Sequence, residues 1–155
     1  MNLEFVPNEF AQAETQPHWM VVDDNRDLLQ VTAAMLAWIT NVPVKCFPSP
    51  TEALAAFQAA PRKYALVITD FEMPDLTGAE LCRLLQGISP GLKVLLATGS
   101  GGIASHSAAT AMGFCGLLRK PFMIGDVKTA LTNAGVIGDR AGDLLTKETS
   151  GLMLA

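Results

Sequence analysis

The sequence has few charged residues and no run of basic ones. Charged residues make up 17% of its 155 positions, and the formal net charge is −4. The eleven Lys and Arg residues are scattered, with Arg62-Lys63 and Arg119-Lys120 as the only basic pairs. Because nucleic-acid binding needs clustered basic side chains, this distribution argues against a nucleic-acid partner. We also expect no room for a DNA-binding domain in this chain.

The chain also lacks the sequence features of secreted and membrane proteins. Its three cysteines, Cys46, Cys82 and Cys115, are odd in number and form no C-x-x-C pair, which predicts buried free thiols in a reducing compartment. The N-terminus has neither the basic region nor the apolar region of a secretory signal. No apolar run approaches the roughly 20 residues that cross a bilayer. We therefore expect a cytoplasmic protein with no membrane partner.

What the sequence does have is apolar residues in a regular alternation. Half of its residues are hydrophobic, enough for a substantial core in one domain. Short apolar runs predict strands at 19–22, 42–47, 65–69, 93–97 and 115–119. Between and after them, segments of helical period predict helices at 26–39, 50–60, 77–86, 104–112 and 124–134. Five alternations of strand and helix predict an α/β domain with a parallel sheet covered on both faces.

Local signals predict where several of these helices begin and end. Polar residues that accept hydrogen bonds from the first turn precede three helices, and glycines follow two. The predicted N-terminal caps are Asn25, Ser49 and Thr77, and the predicted stops are Gly87 and Gly135. These signals support the alternation but say nothing of function.

The two ends of the chain do not share this pattern. Residues 1–17 show no sustained period and are predicted as an N-terminal arm with apolar residues that can dock on a surface, namely Leu3, Phe5, Val6 and Phe10. Residues 18–136 form the predicted domain. Residues 137–155 are a C-terminal tail, polar and then apolar, and the sequence does not indicate its structure.

Polar residues follow four of the predicted strands at the point where each strand ends. These residues are the pair Asp23-Asp24, then Asp70, Thr98 and Lys120. Because the carboxyl ends of parallel strands line one edge of a sheet, we expect the four positions to converge on one pocket. Three carboxylates, a hydroxyl and an ammonium group suit a divalent cation and a phosphoryl group.

The same segments resemble the receiver domain of two-component response regulators. Asp23-Asp24-Asn25 is similar to the acidic pair after the first receiver strand, and Asp70 with the segment 73–78 (MPDLTG) is similar to the phosphoacceptor segment. Thr98 resembles the switch hydroxyl of the family, and Lys120-Pro121-Phe122 resembles its lysine followed by a cis-capable proline. The resemblance covers about residues 19–134, all but the two ends.

This resemblance implies a flavodoxin-like (βα)5 doubly wound fold with strand order 2-1-3-4-5. It implies a phosphoacceptor of a phosphorelay, free-standing or part of a hybrid kinase, and not an enzyme. Asp70 would accept a phosphoryl group from a histidine kinase or a histidine phosphotransfer protein. Lys120 and Thr98 would contact phosphoryl oxygens. The signal would leave through protein–protein contact between an unidentified output protein and the fourth helix, fifth strand and fifth helix.

The implied cofactor is Mg²⁺, which prefers oxygen ligands. Its ligands by analogy are the carboxylates of Asp24 and Asp70 directly, the carboxylate of Asp23 through a water, and the backbone carbonyl of Glu72. The side chain of Glu72 would lie beside the phosphorylation site. From there it would orient or repel a hydrolytic water.

Two other functions fit part of the pattern. A small phosphatase or phosphotransferase would form an aspartyl phosphate on Asp70, and the segment Asp70-Phe71-Glu72 loosely fits the D-x-D of such enzymes. A pseudo-receiver scaffold would keep the fold but would never be phosphorylated. Turnover of a phosphoester by the purified protein separates the enzyme from the receiver, and the complete acidic set argues against the scaffold.

Two local features depart from simple expectations. The segment 99–104 fits the dinucleotide-binding pattern G-x-G-x-x-A, but it follows the fourth strand and the next strand ends in Lys120 rather than an acid. We interpret it as a permissive loop beside Thr98 that phosphorylation would order. Leu117 stands where the family usually has Tyr or Phe. The usual aromatic coupling to the switch hydroxyl is therefore not expected.

Overall fold

The computed structural model describes residues 16–99 and 105–138, in which strands and helices alternate. The strands are β1 (His18–Val22), β2 (Val44–Phe47), β3 (Tyr64–Asp70), β4 (Lys93–Thr98) and β5 (Gly116–Arg119). The helices are α1 (Arg26–Ile39), α2 (Pro50–Ala59), α3 (Gly78–Ile88), α4 (His106–Ala111) and α5 (Ile124–Asn133), with a 3₁₀ turn at Pro61–Lys63. The α/β alternation is confirmed.

All four pairings in the sheet are parallel, and the strand order is β2-β1-β3-β4-β5. The predicted order 2-1-3-4-5 and flavodoxin-like fold are thus confirmed. The order reverses between β1 and β3, which places the switch point where β1 and β3 end. In register, Val22 pairs with Thr69, and Asp70 pairs with Ala97. Asp23 and Asp70 therefore leave neighbouring strands at the same edge.

The core lies on both faces of the sheet. Side chains of β3 from Leu66 to Thr69 are all buried, as a central parallel strand covered on both sides requires. One face packs against α2, α3 and α4, with Phe57, Leu81, Leu85 and Ala109 among the buried residues. The other packs against α1 and α5, with Leu29, Leu36, Val127 and Leu131. Such burial leaves the strand ends as the place where polar groups gather.

Most predicted helix ends are confirmed. The side chains of Asn25, Ser49 and Thr77 accept hydrogen bonds from backbone N–H groups in the first turns of α1, α2 and α3. Gly135 follows α5 with φ +71°, the left-handed conformation that glycine adopts freely. The stop at Gly87 is wrong, because α3 continues to Ile88 and ends where Ser89 precedes a proline.

Two further predictions are corrected by the structure. The second strand begins at Val44 rather than at position 42, because the N–H of Val42 bonds to Thr40 Oγ1 at 3.2 Å and Pro43 has no N–H. Cys46 is exposed on the edge strand β2, so it is not the buried thiol that we predicted, whereas Cys82 is buried. Lys45 and Cys46, on opposite faces of this outermost strand, are both exposed, which the apolar pattern of 42–47 does not reveal.

Some predictions fall on residues outside the described ranges. These are most of the N-terminal arm (1–15), the glycine-rich loop with the predicted start of the fourth helix (100–104), and most of the C-terminal tail (139–155). No described helix has the length and apolar character that crossing a bilayer requires.

Candidate functional site

Four strand ends meet at one edge of the sheet. Asp23 follows β1, Asp70 ends β3, Thr98 ends β4 and Lys120 follows β5. A backbone hydrogen bond of 2.8 Å from Lys120 N–H to Thr98 O joins the last two ends. The peptide bond between Lys120 and Pro121 is cis. The sheet topology therefore brings residues from distant parts of the sequence into one site.

Lys120 lies between two carboxylates. Its Nζ is 2.8 Å from Asp23 Oδ2 and 3.2 Å from Asp70 Oδ1. Asp23 is only 4% exposed. Because charges held away from water interact more strongly than exposed pairs, this arrangement couples the three groups tightly.

Backbone N–H groups fix both carboxylates. Asp23 Oδ1 accepts a 2.9 Å hydrogen bond from Asn25 N–H, and Asp70 Oδ1 accepts one of 2.9 Å from Phe71 N–H. Each carboxylate is thus oriented by the turn that immediately follows its strand. Both the Phe71 N–H and Lys120 Nζ contact the same oxygen of Asp70, Oδ1.

The three carboxylates are also placed to hold a cation. One oxygen from each of Asp23, Asp24 and Asp70 lies within 4.8 Å of the others, with Asp23 buried, Asp24 exposed and Asp70 half-buried. An all-oxygen donor set open to solvent on one side fits Mg²⁺, which keeps several waters and needs few carboxylates. Glu72 is exposed two residues after β3. Its proposed part in the metal site stays a prediction.

The pKa values of Asp70 and Lys120 are both raised, but for different reasons. Burial raises the pKa of Asp70, the negative charge of Asp23 raises it further, and Lys120 with the Phe71 N–H lowers it, so that the pKa stays above its ordinary value. For Lys120, burial lowers the pKa, but the hydrogen bond and charge of Asp23 and the charge of Asp70 outweigh it and the pKa is raised. A cation therefore persists beside a carboxylate that is costly to ionise.

The loop after β3 and the start of α3 pack against the backbone of Asp70 and Phe71. Gly78 N–H donates a 2.7 Å hydrogen bond to Phe71 O, and a Cβ at Gly78 would overlap the backbone oxygen of Asp70. The Thr69 hydroxyl donates to that same oxygen at 2.9 Å. Proline and glycine in the segment 73–78 indicated a shaped loop. The supporting role of Thr69 was missed, because a threonine in a strand carries no distinguishing signal.

The remaining predicted site residues occupy the adjoining strands. Thr98 is 2% exposed at the end of β4, one residue beyond the pairing partner of Asp70. Leu117 is buried in the core on the α3 and α4 side of the sheet. Of the loop 99–104 that we expected phosphorylation to order, residues 100–104 lie outside the described residues. Leu117 thus acts as a packing residue in this structure.

A flavodoxin-like sheet with a lysine and three carboxylates at its switch point defines a class of protein: small α/β domains with an acidic, cation-compatible site. Comparison with known proteins identifies the family within that class. Residues 19–132 match the model of the response regulator receiver domain. The chain belongs to this family, whose members are signalling domains of two-component systems.

Individual relatives agree with this assignment. The chain is 35% identical over 107 residues to the C4-dicarboxylate transport transcriptional regulatory protein DctD of Rhizobium meliloti, covering 68% of this chain and 22% of that protein. It is 32% identical over 108 residues to the response regulator receiver protein CpdR of Brucella abortus, covering 70% of this chain and 88% of CpdR. The chain thus spans about a fifth of the length of DctD but most of CpdR.

A solved structure shares the fold as well. The response regulator receiver domain protein of Clostridium thermocellum superimposes with a TM-score of 0.69 at 31% identity, covering 76% of this chain and 93% of that chain. The sequence resemblance to receiver domains is therefore confirmed by family, relatives and fold.

Proposed function

We propose that this chain is the phosphoacceptor of a two-component phosphorelay and that Asp70 accepts the phosphoryl group. The observation that carries the proposal is the placement of the Asp70 carboxylate 3.2 Å from Lys120 Nζ, within a cluster of three carboxylates. The phosphoryl donor is a phosphohistidine on a histidine kinase or a histidine phosphotransfer protein. The chain itself turns over no diffusible substrate and works in the cytoplasm.

The transfer is an in-line displacement at phosphorus. An oxygen of Asp70 attacks the phosphorus of the phosphohistidine, the P–N bond breaks, and its electron pair stays on the imidazole nitrogen, which then takes a proton. Phe71 N–H and Lys120 Nζ both contact Oδ1, so the second oxygen of Asp70 is our proposed nucleophile. In this proposal Lys120, whose Nζ lies 2.8 Å from Asp23 Oδ2, forms an ion pair with a phosphoryl oxygen after transfer.

The acidic cluster would hold Mg²⁺ through Asp24 and Asp70 directly, through Asp23 by way of a water, and through the backbone carbonyl of Glu72. When bound, the ion neutralises charge on the phosphoryl oxygens during transfer. Three carboxylates against one lysine leave a local excess of negative charge, which supports a divalent cation here. The buried Thr98 hydroxyl would donate to a phosphoryl oxygen.

We further propose that the output protein docks on the surface of α4, β5 and α5. A cleft of about 410 Å³ opens there, and both apolar and charged residues line it, including His106, Leu117, Arg119, Pro121 and Asp126. A concave surface of mixed character suits contact with protein side chains. The identity of the output protein is not specified by this surface.

Phosphorylation with a small phosphodonor tests the assignment. The purified chain incubated with a phosphoramidate and Mg²⁺ is expected to gain one phosphoryl group by intact-protein mass spectrometry, and Asp70→Asn is expected to gain none. Asp75→Asn is the matched control, because Asp75 is exposed in the same loop and its φ of +73° suits asparagine. Equal labelling of Asp70→Asn and the parent would refute the assignment.

The same preparation separates the receiver from an enzyme. A phosphatase or phosphotransferase would release product from a phosphoester in many turnovers per chain. The proposal expects at most one phosphoryl group per chain from the phosphodonor and no turnover of p-nitrophenyl phosphate. Sustained turnover that Asp70→Asn abolishes would favour the enzyme instead.

A further inference from the structure

The outer face of α1 is apolar where a surface helix is normally polar. From Val31 to Ile39 the helix carries no charged residue. The residues on its outer side are Val31, Ala34, Ala37 and Trp38, all exposed. Trp38 is 76% exposed and Val31 is 48% exposed. An amphipathic helix would place charged or polar side chains at these positions.

This outer face is separate from the face that holds the helix in the fold. Leu29, Leu36 and Ile39 are buried in the core between α1, α5 and the sheet. Thr32 is buried on the same side. The outer residues are therefore not needed to pack α1 against the domain. Val31 and Trp38 lie two helical turns apart on the same side, and an exposed apolar stripe of this kind favours a partner.

The N-terminal arm enters the fold close to this surface. Trp19 N–H donates a 2.9 Å hydrogen bond to Pro43 O, in the segment that follows α1. The helix ends at Ile39, where Thr40 N–H caps Leu36 O at 2.9 Å. Residue 16, the first of the described range, thus lies three residues from a direct contact with the segment after Trp38.

The arm has the composition and the length to cover the outer face. Residues 1–15 of the arm include the apolar Leu3, Phe5, Val6 and Phe10. Fully extended, such a segment reaches about 50 Å. The 14 residues of α1 span about 21 Å. The arm can therefore run back along α1 from Gln16 and still place an aromatic residue on Trp38.

We propose that residues 1–15 dock on the outer face of α1 and cover Trp38 with Phe5 and Phe10. A segment joined to the domain through Gln16 has an effective concentration in the millimolar range at a nearby surface, so a modest apolar contact suffices where a separate partner would dissociate. The proposal is independent of Asp70 and of phosphoryl transfer.

Tryptophan fluorescence of the full chain tests this docking. In a Trp19→Phe background, Trp38 is the sole tryptophan. We expect its emission to be blue-shifted and protected from acrylamide. The double variant Phe5→Ser/Phe10→Ser is expected to shift the emission to the red and to lose that protection. The matched control, Leu152→Ser/Leu154→Ser in the C-terminal tail, is expected to change neither.

Three results would overturn the proposal. Equal quenching with and without the arm substitutions would show that the arm does not cover Trp38. Protection that disappears on dilution would assign the surface to a second copy of the chain, and protection lost only in the tail variant would assign it to the tail. If Trp19→Phe does not fold, NMR of the native chain provides the same comparison through its two indole N–H resonances. The Trp38 resonance is then expected to shift when Phe5 and Phe10 are replaced.

Discussion

Replacing Asp70 by asparagine is expected to stabilise the metal-free protein at neutral pH. The substitution keeps the shape of the side chain, and the asparagine oxygen can still accept the 2.9 Å hydrogen bond from Phe71 N–H. It removes a carboxylate that is costly to ionise, since burial and the negative charge of Asp23 raise the pKa of Asp70 despite the nearby Lys120. The proposed acceptor role of Asp70 and the stability of the metal-free protein are thus opposed at this position.

The distances give the scale of the effect. At an effective dielectric constant of about 20, Lys120 at 3.2 Å attracts the Asp70 charge by about 5 kcal/mol. Asp23 and Asp24, with oxygens within 4.8 Å, each repel it by about 3.5 kcal/mol before solvent screening of the exposed Asp24. Before screening, the two repulsions together, about 7 kcal/mol, exceed the attraction, and screening of the exposed Asp24 brings them close to balance. The cost of burying the carboxylate is then left over. We expect a gain of about 1–2 kcal/mol, below the several kcal/mol of a fully buried ion.

Urea unfolding followed by circular dichroism measures the gain. In EDTA at pH 7, Asp70→Asn is expected to unfold at higher urea than the parent with an unchanged slope, while Asp75→Asn stays close to the parent. As the pH falls through the raised pKa of Asp70 toward its ordinary value, the parent carboxylate becomes protonated and the difference should vanish. Saturating Mg²⁺ should also shrink it, because the parent binds the ion more tightly.

A lower or equal unfolding midpoint for Asp70→Asn in EDTA, with Asp75→Asn unchanged, would refute this account. It would mean that the attraction of Lys120 exceeds the sum of burial and repulsion. A stabilisation that persisted unchanged at low pH would also count against it, because the argument rests on the ionised form.

Three further substitutions probe the surroundings of Asp70. Gly78→Ala would place a Cβ against the Asp70 backbone oxygen, so it is expected to lower the free energy of unfolding by about 1–3 kcal/mol in urea and to slow phosphorylation. An unchanged phosphorylation rate would contradict the role of Gly78 in supporting the backbone at Asp70. Lys120→Gln removes the positive charge between two carboxylates, so the free energy of unfolding without metal should fall by about 2 kcal/mol. The same change should tighten Mg²⁺ binding in calorimetric titrations, because Lys120 and the ion compete for the carboxylates. Weaker Mg²⁺ binding would argue against this competition. Glu72→Asn is expected to change the rate of aspartyl-phosphate hydrolysis in a mass-spectrometric time course, and an identical rate would remove the Glu72 carboxylate from the reaction.

The fold was predictable because several kinds of sequence signal agree. Buried parallel strands have no alternation, so runs such as 65–69 stand out, and the caps Asn25 and Thr77 mark helix starts independently of the apolar pattern. Agreement between periodicity and capping is what makes such a prediction firm. The exposure of Cys46 was not predictable, since an apolar strand has the same pattern at the edge of a sheet as in its centre.

For the site, the sequence predicts which residues gather but not how they pair. The ends of four strands indicate the common edge, because parallel topology fixes it. The distances of Lys120 to Asp23 and Asp70 depend on side-chain conformations that no local pattern encodes. The exposed Trp38 was likewise not predictable from helical period, because a second apolar stripe on α1 looks like part of the first.

The Lys120–Asp23 contact ties the site to the completion of folding. The two residues are 97 positions apart in sequence, at the ends of the first and last strands. Their pairing closes a long loop, which costs conformational entropy. The strand pairings that form between the two residues offset this cost. A nascent chain emerging from the ribosome without β5 would hold its acidic residues but not its lysine. The cluster of Asp23, Asp70 and Lys120 therefore becomes complete only when the last strand of the sheet has been synthesised and has joined β4.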